Sequence, residues 1–382
     1  MMQKVFFNKF SELKKIKNTT LVITGKNIYK KNKIKKFLNK NVKAKTFLYL
    51  KKNFIPKVSE AQKLSHFLKK NNIKNIIAIG GGSVIDLAKL SIYIYQCDFK
   101  IILNSKINIK KTLKNFKFFV LPTTAGSGSE STSFAVGYYK NKKFSFNQPS
   151  LIPNKILYNF DFFKNTKQKI KSPSAFDILA QSVESIFSKK SNKKSIRFSI
   201  KSLNLFIKNY RKFFLKNPPN LVVKKMCLSS YYSGKAINIA KTNAPHAFSY
   251  PFTILYNISH GHAVSLTFLN CINYFFFKMI DLEDKNNINK FKTLFKIFSS
   301  NNLMQFNKQI NIIIKNLKLK KITLLKINLK KDIIKLEKRI NFERLDNSPY
   351  KLEKKDFFYI LSSSIFNNTN IKNYDANFKK LL

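Results

Sequence analysis

The sequence of 382 residues contains no tryptophan, nine glycines and three cysteines. Cys97, Cys227 and Cys271 lie far apart, without the short spacing of a metal-binding motif, so we expect reduced, structural thiols. No run reaches the roughly 18 uncharged apolar residues of a transmembrane helix. The N-terminus also lacks the apolar segment of a signal peptide. These absences predict a cytoplasmic protein with no membrane partner.

Acidic residues are scarce as well, because 18 Asp and Glu face 73 Lys and Arg, which gives a formal net charge of +55. Such a charge is typical of nucleic-acid-binding proteins, and a non-catalytic protein that binds polyanions is one interpretation. Lysine is spread evenly along the chain, together with Asn, Ile and Phe, whose codons are A/T-rich. We therefore interpret the charge as compositional bias, which argues against a nucleic-acid partner but would still attract a small anionic substrate.

Short apolar runs alternate with helical patterns in the first part of the chain. The predicted strands are Leu21–Gly25, Ala44–Leu50, Ile76–Gly80 and Phe116–Pro122, and the clearest predicted helix is Ser59–Lys70, with Ser59 as its cap. Alternation of strands and helices predicts a parallel sheet that is covered on both faces.

The pattern changes near residue 165, after which the segments are longer and helix-like. We therefore predict two domains, with residues 1–165 forming an α/β domain and residues 166–382 forming an all-helical domain.

Six of the nine glycines end predicted strands or lie in two loops that follow them. The first loop, GGGSVIDLAK, leads from a strand into a helical pattern that carries Asp86 and Lys89. The second, LPTTAGSGSEST, joins two glycines to several hydroxyl groups. Glycines at a helix N-terminus let backbone N–H groups approach a phosphate, so the loops predict an anion site at the carboxyl edge of the sheet. A tight strand–helix turn without a ligand is the alternative.

The chain has four histidines, three of which fall within one short segment, APHAFSYPFTILYNISHGHAV. His66 lies apart, in a lysine-flanked helix, and we expect it at the surface. His260 and His262 are two residues apart, so they point to nearly opposite sides of a helix and at most one faces a given site.

A carboxylate and an amide accompany these histidines. Asp177 and Gln181 are at positions i and i+4 of a predicted helix and therefore share one face. If His246 and His260 converge on that face, the set suits a divalent metal ion. A structural role for each single histidine is the alternative.

Four motifs, in order, resemble the iron-dependent alcohol dehydrogenase family of the dehydroquinate synthase-like superfamily: GGGSVIDLAK, LPTTAGSGSE, SAFDILAQSVES and HAFSYPFTILYNISHGHAV. The resemblance covers nearly the whole chain. It implies a Rossmann-like N-terminal domain and a helical C-terminal domain, with the site in the cleft between them, and often a homodimer.

Site residues follow from the resemblance position by position. Asp177, His246 and His260 fall on the metal ligands, and His246 and His260 with Tyr250 form the implied catalytic group. Gln181 stands where the family usually has a histidine as fourth ligand, and Tyr250 where many members have another histidine. An amide oxygen is a weaker and harder ligand than imidazole, so this departure bears on metal identity, Fe²⁺ or Zn²⁺.

The resemblance also implies a nicotinamide cofactor, NADPH or NADH. The implied cofactor-binding residues are Gly25, Lys26, Gly81, Gly82, Ser83, Asp86, Thr123, Thr124, Ser127 and Lys143. Family members that prefer NAD often carry Asp at the place of Gly25. Because this chain has no carboxylate there and Lys26 follows, we predict that NADPH is accepted at least as well as NADH.

Within the family, KTNAPHAFSYP and HGHAVSLT resemble the phosphonoacetaldehyde reductase branch. The implied reaction is the NAD(P)H-dependent, metal-assisted reduction of phosphonoacetaldehyde to 2-hydroxyethylphosphonate, with Lys241 and Thr242 binding the anionic substrate. A general iron-containing alcohol or lactaldehyde dehydrogenase is the alternative.

Overall fold

The computed structural model describes residues 3–31, 33–52, 55–96, 116–139, 142–320, 329–362 and 368–380. The chain divides into two compact units. The first comprises Met1–Lys167 and Leu215–Cys227, and the second comprises Gln168–Phe214 and Leu228–Leu382.

The first unit is built on a six-stranded parallel sheet with the strand order β1-β8-β5-β4-β2-β3. A separate antiparallel hairpin joins β6 to β7. The strands are β1 Lys4–Phe7, β2 Thr20–Gly25, β3 Thr46–Lys51, β4 Asn75–Gly80, β5 Lys117–Pro122, β6 Phe134–Tyr139, β7 Lys142–Asn147 and β8 Lys155–Tyr158.

Helices cover this sheet, which is why β4 is buried along its whole length and β2 nearly so. The helices of the first unit are α1 Ser11–Lys14, α2 Lys26–Lys31, α3 Ile34–Asn41, α4 Val58–Lys70, α5 Gly82–Gln96 and α6 Phe160–Lys164, with 3₁₀ turns at Ser129–Ser131 and Pro149–Leu151.

The predicted helix cap at Ser59 is wrong. The N-cap of α4 is Lys57, which makes no side-chain cap, and Ser59 lies inside the helix. Val58 is only 1% exposed. Because its side chain packs into the core, the helix starts one residue earlier than the sequence pattern indicated.

The second unit contains only helices within the described residues. They are α7 Gln168–Phe187, α8 Lys193–Phe213, α9 Asn220–Ala240, α10 Ala244–Tyr256, α11 His260–Asp281, α12 Lys285–Ile297, α13 Leu303–Asn316, α14 Leu329–Glu337, α15 Phe342–Leu345, α16 Lys354–Ser362 and α17 Asn368–Lys380; the first residues of α9 belong to the first unit. The α/β and helical parts confirm the predicted fold class.

Two helices form the centre of the helical unit. Helix α7 is buried over most of its length and packs against α8 and α11. Helix α11 is long and apolar enough to span a membrane, with a mean hydropathy of 1.4, but 78% of that stretch is buried, as in a core helix.

Two of the three cysteines lie in the core of the protein. Cys227 and Cys271 are buried free thiols, and burial raises the pKa of both well above its ordinary value. Both the raised pKa and the burial disfavour the thiolate, so we expect neither thiol to act as a nucleophile. Cys97 lies outside the described residues.

Candidate active site

One face of α7 carries three polar side chains into the core of the helical unit. Asp177, Gln181 and Glu184 recur at i, i+4 and i+7 and are 4%, 3% and 0% exposed. Buried polar groups of this kind need partners, because an unpaired one is costly. The partners come from α9, α10 and α11.

His246 lies between two of these carboxylates. Its Nδ1 atom is 2.5 Å from Glu184 Oε1, and its Nε2 atom is 3.2 Å from Asp177 Oδ1. It sits in the first turn of α10, where Pro245 occupies one of the first helical positions. The backbone N–H of Asn243, just before the helix, donates to Glu184 Oε2 at 2.7 Å. Glu184 thus fixes both the imidazole and the start of the helix that carries it.

His260 reaches the same place from the first residue of α11. Its ring lies 5.1 Å from that of His246, centroid to centroid, in an edge-to-face arrangement. The next residue, Gly261, touches α7 so closely that an added Cβ would lie 2.0 Å from the carbonyl oxygen of Pro173. Only glycine lets the start of α11 approach α7 at this distance, and that approach brings His260 to Asp177.

Tyr250 is buried and stacks against His260, with ring centroids 6.2 Å apart and an interplanar angle of 15°. It therefore lies beside the cluster, one helical turn after His246 in α10.

The donor set fits a divalent metal ion. Asp177, His246 and His260 each offer one ligand atom, and these atoms lie within 4.8 Å of one another. Ligand bonds of about 2.0–2.2 Å reach all three after modest side-chain movement. Because the Nδ1–H of His246 is directed at Glu184, its Nε2 is available as a ligand. A carboxylate behind a metal-binding histidine is a frequent arrangement in metal sites.

The charges around His246 also favour a cation at this site. Burial opposes its protonation, but the charge of Glu184 and the hydrogen bonds with Asp177 and Glu184 outweigh this and raise the pKa of His246 to about 10. Burial likewise opposes ionisation of Asp177, yet its histidine neighbours hold its pKa below the ordinary value. Two buried carboxylates thus require a positive charge between them, which a proton or a metal ion supplies.

The two glycine-rich loops meet in the first unit. An added Cβ on Gly82 would lie 2.5 Å from Ser127 Oγ, and one on Gly81 would lie 3.0 Å from Thr124 Oγ1. The backbone N–H of Thr123 donates to the carbonyl of Gly80 at 3.1 Å. The absence of side chains at Gly81 and Gly82 therefore lets the two loops pack together. The predicted phosphate-binding role did not include this contact.

Helix α5 anchors the second loop through two charged side chains. Asp86 Oδ1 accepts a hydrogen bond from Ser129 Oγ at 2.5 Å. The fully buried Lys89 donates to the carbonyl oxygens of Ser129, Thr132 and Phe134 at 2.6, 2.8 and 3.0 Å. Asp86 was predicted to bind the cofactor, but its carboxylate is hydrogen-bonded to Ser129 of the second loop.

Four of the remaining predicted cofactor residues lie at the carboxyl ends of strands of the parallel sheet, and the fifth lies in the separate hairpin. Gly25 ends β2, and the exposed Lys26 begins α2. Ser83 lies in the first turn of α5 and is partly exposed, and Thr123 is buried directly after β5. Lys143 lies in β7, but its side chain is outside the part that the structure describes.

The predicted substrate residues lie just beyond the C-terminal end of α7, whereas Asp177 lies near its middle. Ser188, eleven residues after Asp177, donates to the carbonyl of Lys241 at 3.2 Å. With a helical rise of 1.5 Å per residue, Asp177 and Ser188 are roughly 16 Å apart along the helix axis. The ammonium of Lys241 is 3.3 Å from the carbonyl of Asn238, and Thr242 is buried. These contacts do not bring Lys241 to the metal cluster.

The other two histidines lie as expected. His66 is exposed on α4. His262 turns away from the cluster, and its Nε2 is 2.8 Å from the carbonyl of Lys320.

Sequence reasoning missed Glu184, Ser233 and the role of Lys89. Glu184 could have been identified from the sequence, because it continues the i, i+4 spacing of Asp177 and Gln181 to i+7 and so lies on the same helical face. Ser233, on α9, has no signal in the sequence, since its proximity to Gln181 depends on how two distant helices pack.

Comparison with known families decides the classification. Residues 5–159 match the family profile described as iron-containing alcohol dehydrogenase. Residues 172–348 match the profile of the Fe-containing alcohol dehydrogenase family, C-terminal. The chain belongs to the iron-containing alcohol dehydrogenase family. The resemblance inferred from the motifs is confirmed.

Curated relatives include two dehydrogenases with named substrates. The chain is 30% identical over 230 residues to 4-hydroxybutyrate dehydrogenase of Clostridium kluyveri, covering 59% of each chain. It is 26% identical over 206 residues to phosphonoacetaldehyde reductase of Streptomyces viridochromogenes, covering 52% of each. The matches thus span between half and two thirds of these relatives.

Solved structures share the fold over almost the whole chain. Sulfoacetaldehyde reductase from Bifidobacterium kashiwanohense, in complex with NAD⁺, has a TM-score of 0.80 at 20% identity and covers 94% of this chain and 96% of its own. The archaeal alcohol dehydrogenase ADH/D1 from a Red Sea brine pool has a TM-score of 0.81 at 17% identity, covering 95% and 97%.

Proposed function

We propose that the protein is a metal-dependent, nicotinamide-dependent reductase of small anionic aldehydes, with phosphonoacetaldehyde as the favoured substrate. The observation that carries the proposal is the buried cluster of Asp177, His246 and His260 in a chain of the iron-containing alcohol dehydrogenase family. The remaining expectations, a cytoplasmic location and a homodimer, accompany this proposal.

Three similar proteins support an anionic substrate. Their names refer to a carboxylate, a phosphonate and a sulfonate: 4-hydroxybutyrate, phosphonoacetaldehyde and sulfoacetaldehyde. Each is a short two- to four-carbon chain with an alcohol or aldehyde at one end and an anion at the other. The net charge of +55 would draw such molecules towards the protein.

The chemistry follows from the cluster. A divalent ion bound there would act as a Lewis acid on the carbonyl oxygen and stabilise the alkoxide that forms on reduction, while a nicotinamide would supply the hydride. The chain contributes orientation and exclusion of water. Glu184 holds His246 in one tautomer and one rotamer, and Asp177 and His246 are each 4% exposed. Tyr250, stacked on His260, lies beside the reacting group in this proposal.

The cofactor assignment rests on the first unit. Gly81 precedes a helix of 15 residues and Gly82 and Ser83 begin it, so their backbone N–H groups suit a pyrophosphate. Thr124 and Ser127 are partly exposed beside them, where a ribose or nicotinamide would pass. The absence of a carboxylate at Gly25 and the charge of Lys26 favour NADPH at least as much as NADH.

The test is steady-state turnover of the purified protein. We expect NADPH oxidation with phosphonoacetaldehyde to exceed that with propionaldehyde of similar size, and to require Fe²⁺ or Zn²⁺. Turnover of succinate semialdehyde and sulfoacetaldehyde shows whether a phosphonate is preferred over a carboxylate or a sulfonate. Equal rates with propionaldehyde would favour a general alcohol dehydrogenase, and no turnover of any aldehyde would contradict the proposal.

A further inference from the structure

Gln181 is enclosed by polar partners on both sides of its amide. The hydroxyl of Ser233, which is 0% exposed on α9, shares its one proton between the carbonyl oxygen of Ser230 at 2.9 Å and Gln181 Oε1 at 3.2 Å. Gln181 also hydrogen-bonds the carboxylate of Asp177. Because an ionised carboxylate only accepts, the donor is the amide NH₂ group. Both hydrogen-bonding ends of this 3%-exposed side chain are therefore used within the protein.

The orientation of the amide decides what it can offer a metal ion. Only its oxygen is a useful ligand, since the NH₂ group has no lone pair to donate. Here the oxygen faces Ser233 and the nitrogen faces Asp177. Turning the amide over would place its oxygen against the Asp177 carboxylate, so that two acceptors would face each other and one carboxylate oxygen would lose its donor.

We infer that Gln181 is a positioning residue for Asp177, held in place by Ser233, and that the metal ion is bound by Asp177, His246 and His260 alone. The inference rests on the proposed metal-dependent function. A site with three protein ligands keeps open positions for a substrate oxygen, as catalytic zinc sites do. Gln181 then acts on the metal only through the orientation of the Asp177 carboxylate.

This role makes a prediction that distinguishes a positioning residue from a ligand. Removing a ligand weakens metal binding whether or not Asp177 is present. Removing a group that acts through Asp177 has no effect once Asp177 is gone. A double-mutant cycle therefore separates the two roles.

The experiment measures the Zn²⁺ dissociation constant of the full chain by competition with a chromophoric chelator. The variants are Gln181→Leu, Asp177→Ala and their combination, with thermal melts to check folding. We expect Gln181→Leu to weaken binding by about tenfold in the wild-type background and by less than about twofold in Asp177→Ala. Ser233→Ala should weaken binding in the wild type and have no further effect in Gln181→Leu.

The double-mutant cycle between Asp177→Ala and His260→Ala is the matched control. Because both residues are direct ligands, each substitution should weaken Zn²⁺ binding even when the other is already present. If Gln181→Leu weakens Zn²⁺ binding equally in the wild type and in Asp177→Ala, the inference is overturned. If Asp177→Ala binds too weakly to measure, the visible spectrum of Co²⁺-loaded Gln181→Leu decides. An unchanged spectrum supports positioning, and changed band positions or intensity identify Gln181 as a ligand. Failure of the wild-type protein to bind Zn²⁺ or Co²⁺ would instead refute the proposed function.

Discussion

Glu184 and His246 form a buried carboxylate–imidazole pair, with Oε1 and Nδ1 2.5 Å apart. The other oxygen of Glu184 accepts the backbone N–H of Asn243 at 2.7 Å. One carboxylate on α7 thus determines the orientation of a histidine on α10 and the place where that helix begins.

The first prediction concerns this pair. Glu184→Gln keeps the shape of the side chain but replaces the charged acceptor, and loss of such a partner typically weakens metal binding by about 10- to 100-fold. We expect a Zn²⁺ dissociation constant raised within this range, measured by chelator competition. Glu60→Gln is the control, because Glu60 is a buried carboxylate of the first unit that accepts from Tyr49 and from the backbone of Lys52. Equal metal affinity in the two variants would contradict the role of Glu184.

A second prediction tests the contact between the glycine loops. Gly82→Ala would place a Cβ 2.5 Å from Ser127 Oγ, so the loops must separate and the first turn of α5 must move. We expect NADPH to bind at least about tenfold more weakly, as followed by nucleotide fluorescence. Gly137→Ala is the control, because its Cβ would be crowded to a similar degree, 2.8 Å from Leu90 Cδ1, without touching either loop. Unchanged affinity in Gly82→Ala would place the nucleotide elsewhere.

A third prediction concerns the crossing of α7 and α11. Gly261→Ala would place a Cβ 2.0 Å from a backbone oxygen that cannot rotate away. We expect a loss of about 3 kcal/mol in the free energy of unfolding, at the upper end of typical overpacking. Zn²⁺ binding should weaken too, because His260 is the neighbouring residue. Urea unfolding measures the first effect, and a variant as stable as the wild type would refute the packing argument.

A fourth prediction follows from the buried Lys89. Burial, partly offset by the charges of Asp86 and Glu130, lowers its pKa to about 8 from 10.5. Between these values the unfolded chain binds more protons than the folded one, so the free energy of unfolding rises with pH. The penalty for burying the charge is complete below about pH 8 and is relieved towards pH 10.5.

Lys89→Met lacks this titration and serves as the reference. From pH 7.5 to 10.5, we expect the wild type to gain roughly 3 kcal/mol of unfolding free energy relative to the variant. Chemical unfolding of both proteins across this range measures the difference. A difference that does not change with pH would mean that Lys89 keeps an ordinary pKa through its carbonyl partners.

A fifth prediction concerns the choice of nucleotide. Gly25→Asp would place a carboxylate at the end of β2, and there is space for a side chain there. If the 2′-phosphate of NADPH lies at this strand end, the ratio of kcat/KM for NADPH over NADH should fall by about tenfold or more. Gly25→Asn is the neutral control of the same size. An unchanged ratio in Gly25→Asp would remove the strand end from cofactor selection.

The sequence predicted the larger part of the sheet, because apolar runs that end in glycine or proline stand out. The predicted strand Ile76–Gly80 is found as Asn75–Gly80, and Phe116–Pro122 as Lys117–Pro122. The four-residue strands β1 and β8 were not predicted, since such short runs do not differ from the apolar background. The strand order also escaped prediction, because it depends on packing between distant segments.

The candidate site was predictable where it depends on helical spacing. Asp177 and Gln181 share a face as expected, and His246 and His260 converge on it. The direction of the Gln181 amide was not predictable, because it is determined by Ser233 on another helix.

Glycine is so scarce in this chain that other residues take its usual conformations. Among the described residues, only Gly128 is a glycine with positive φ, whereas eight others hold left-handed backbone: Asn8, Lys33, Asn72, Lys241, Asn257, Glu283, Ser299 and Lys318. Asn8, Asn72 and Asn257 adopt this conformation readily, whereas each of the other five costs about 1–2 kcal/mol. The protein accepts this modest strain in its turns, but a side chain at Gly82 or Gly261 would collide with atoms that have little room to move. Gly82, Gly137 and Gly261 therefore mark close contacts rather than bends. Replacing Lys33, Lys241, Glu283, Ser299 or Lys318 with glycine should relieve strain without disturbing the fold.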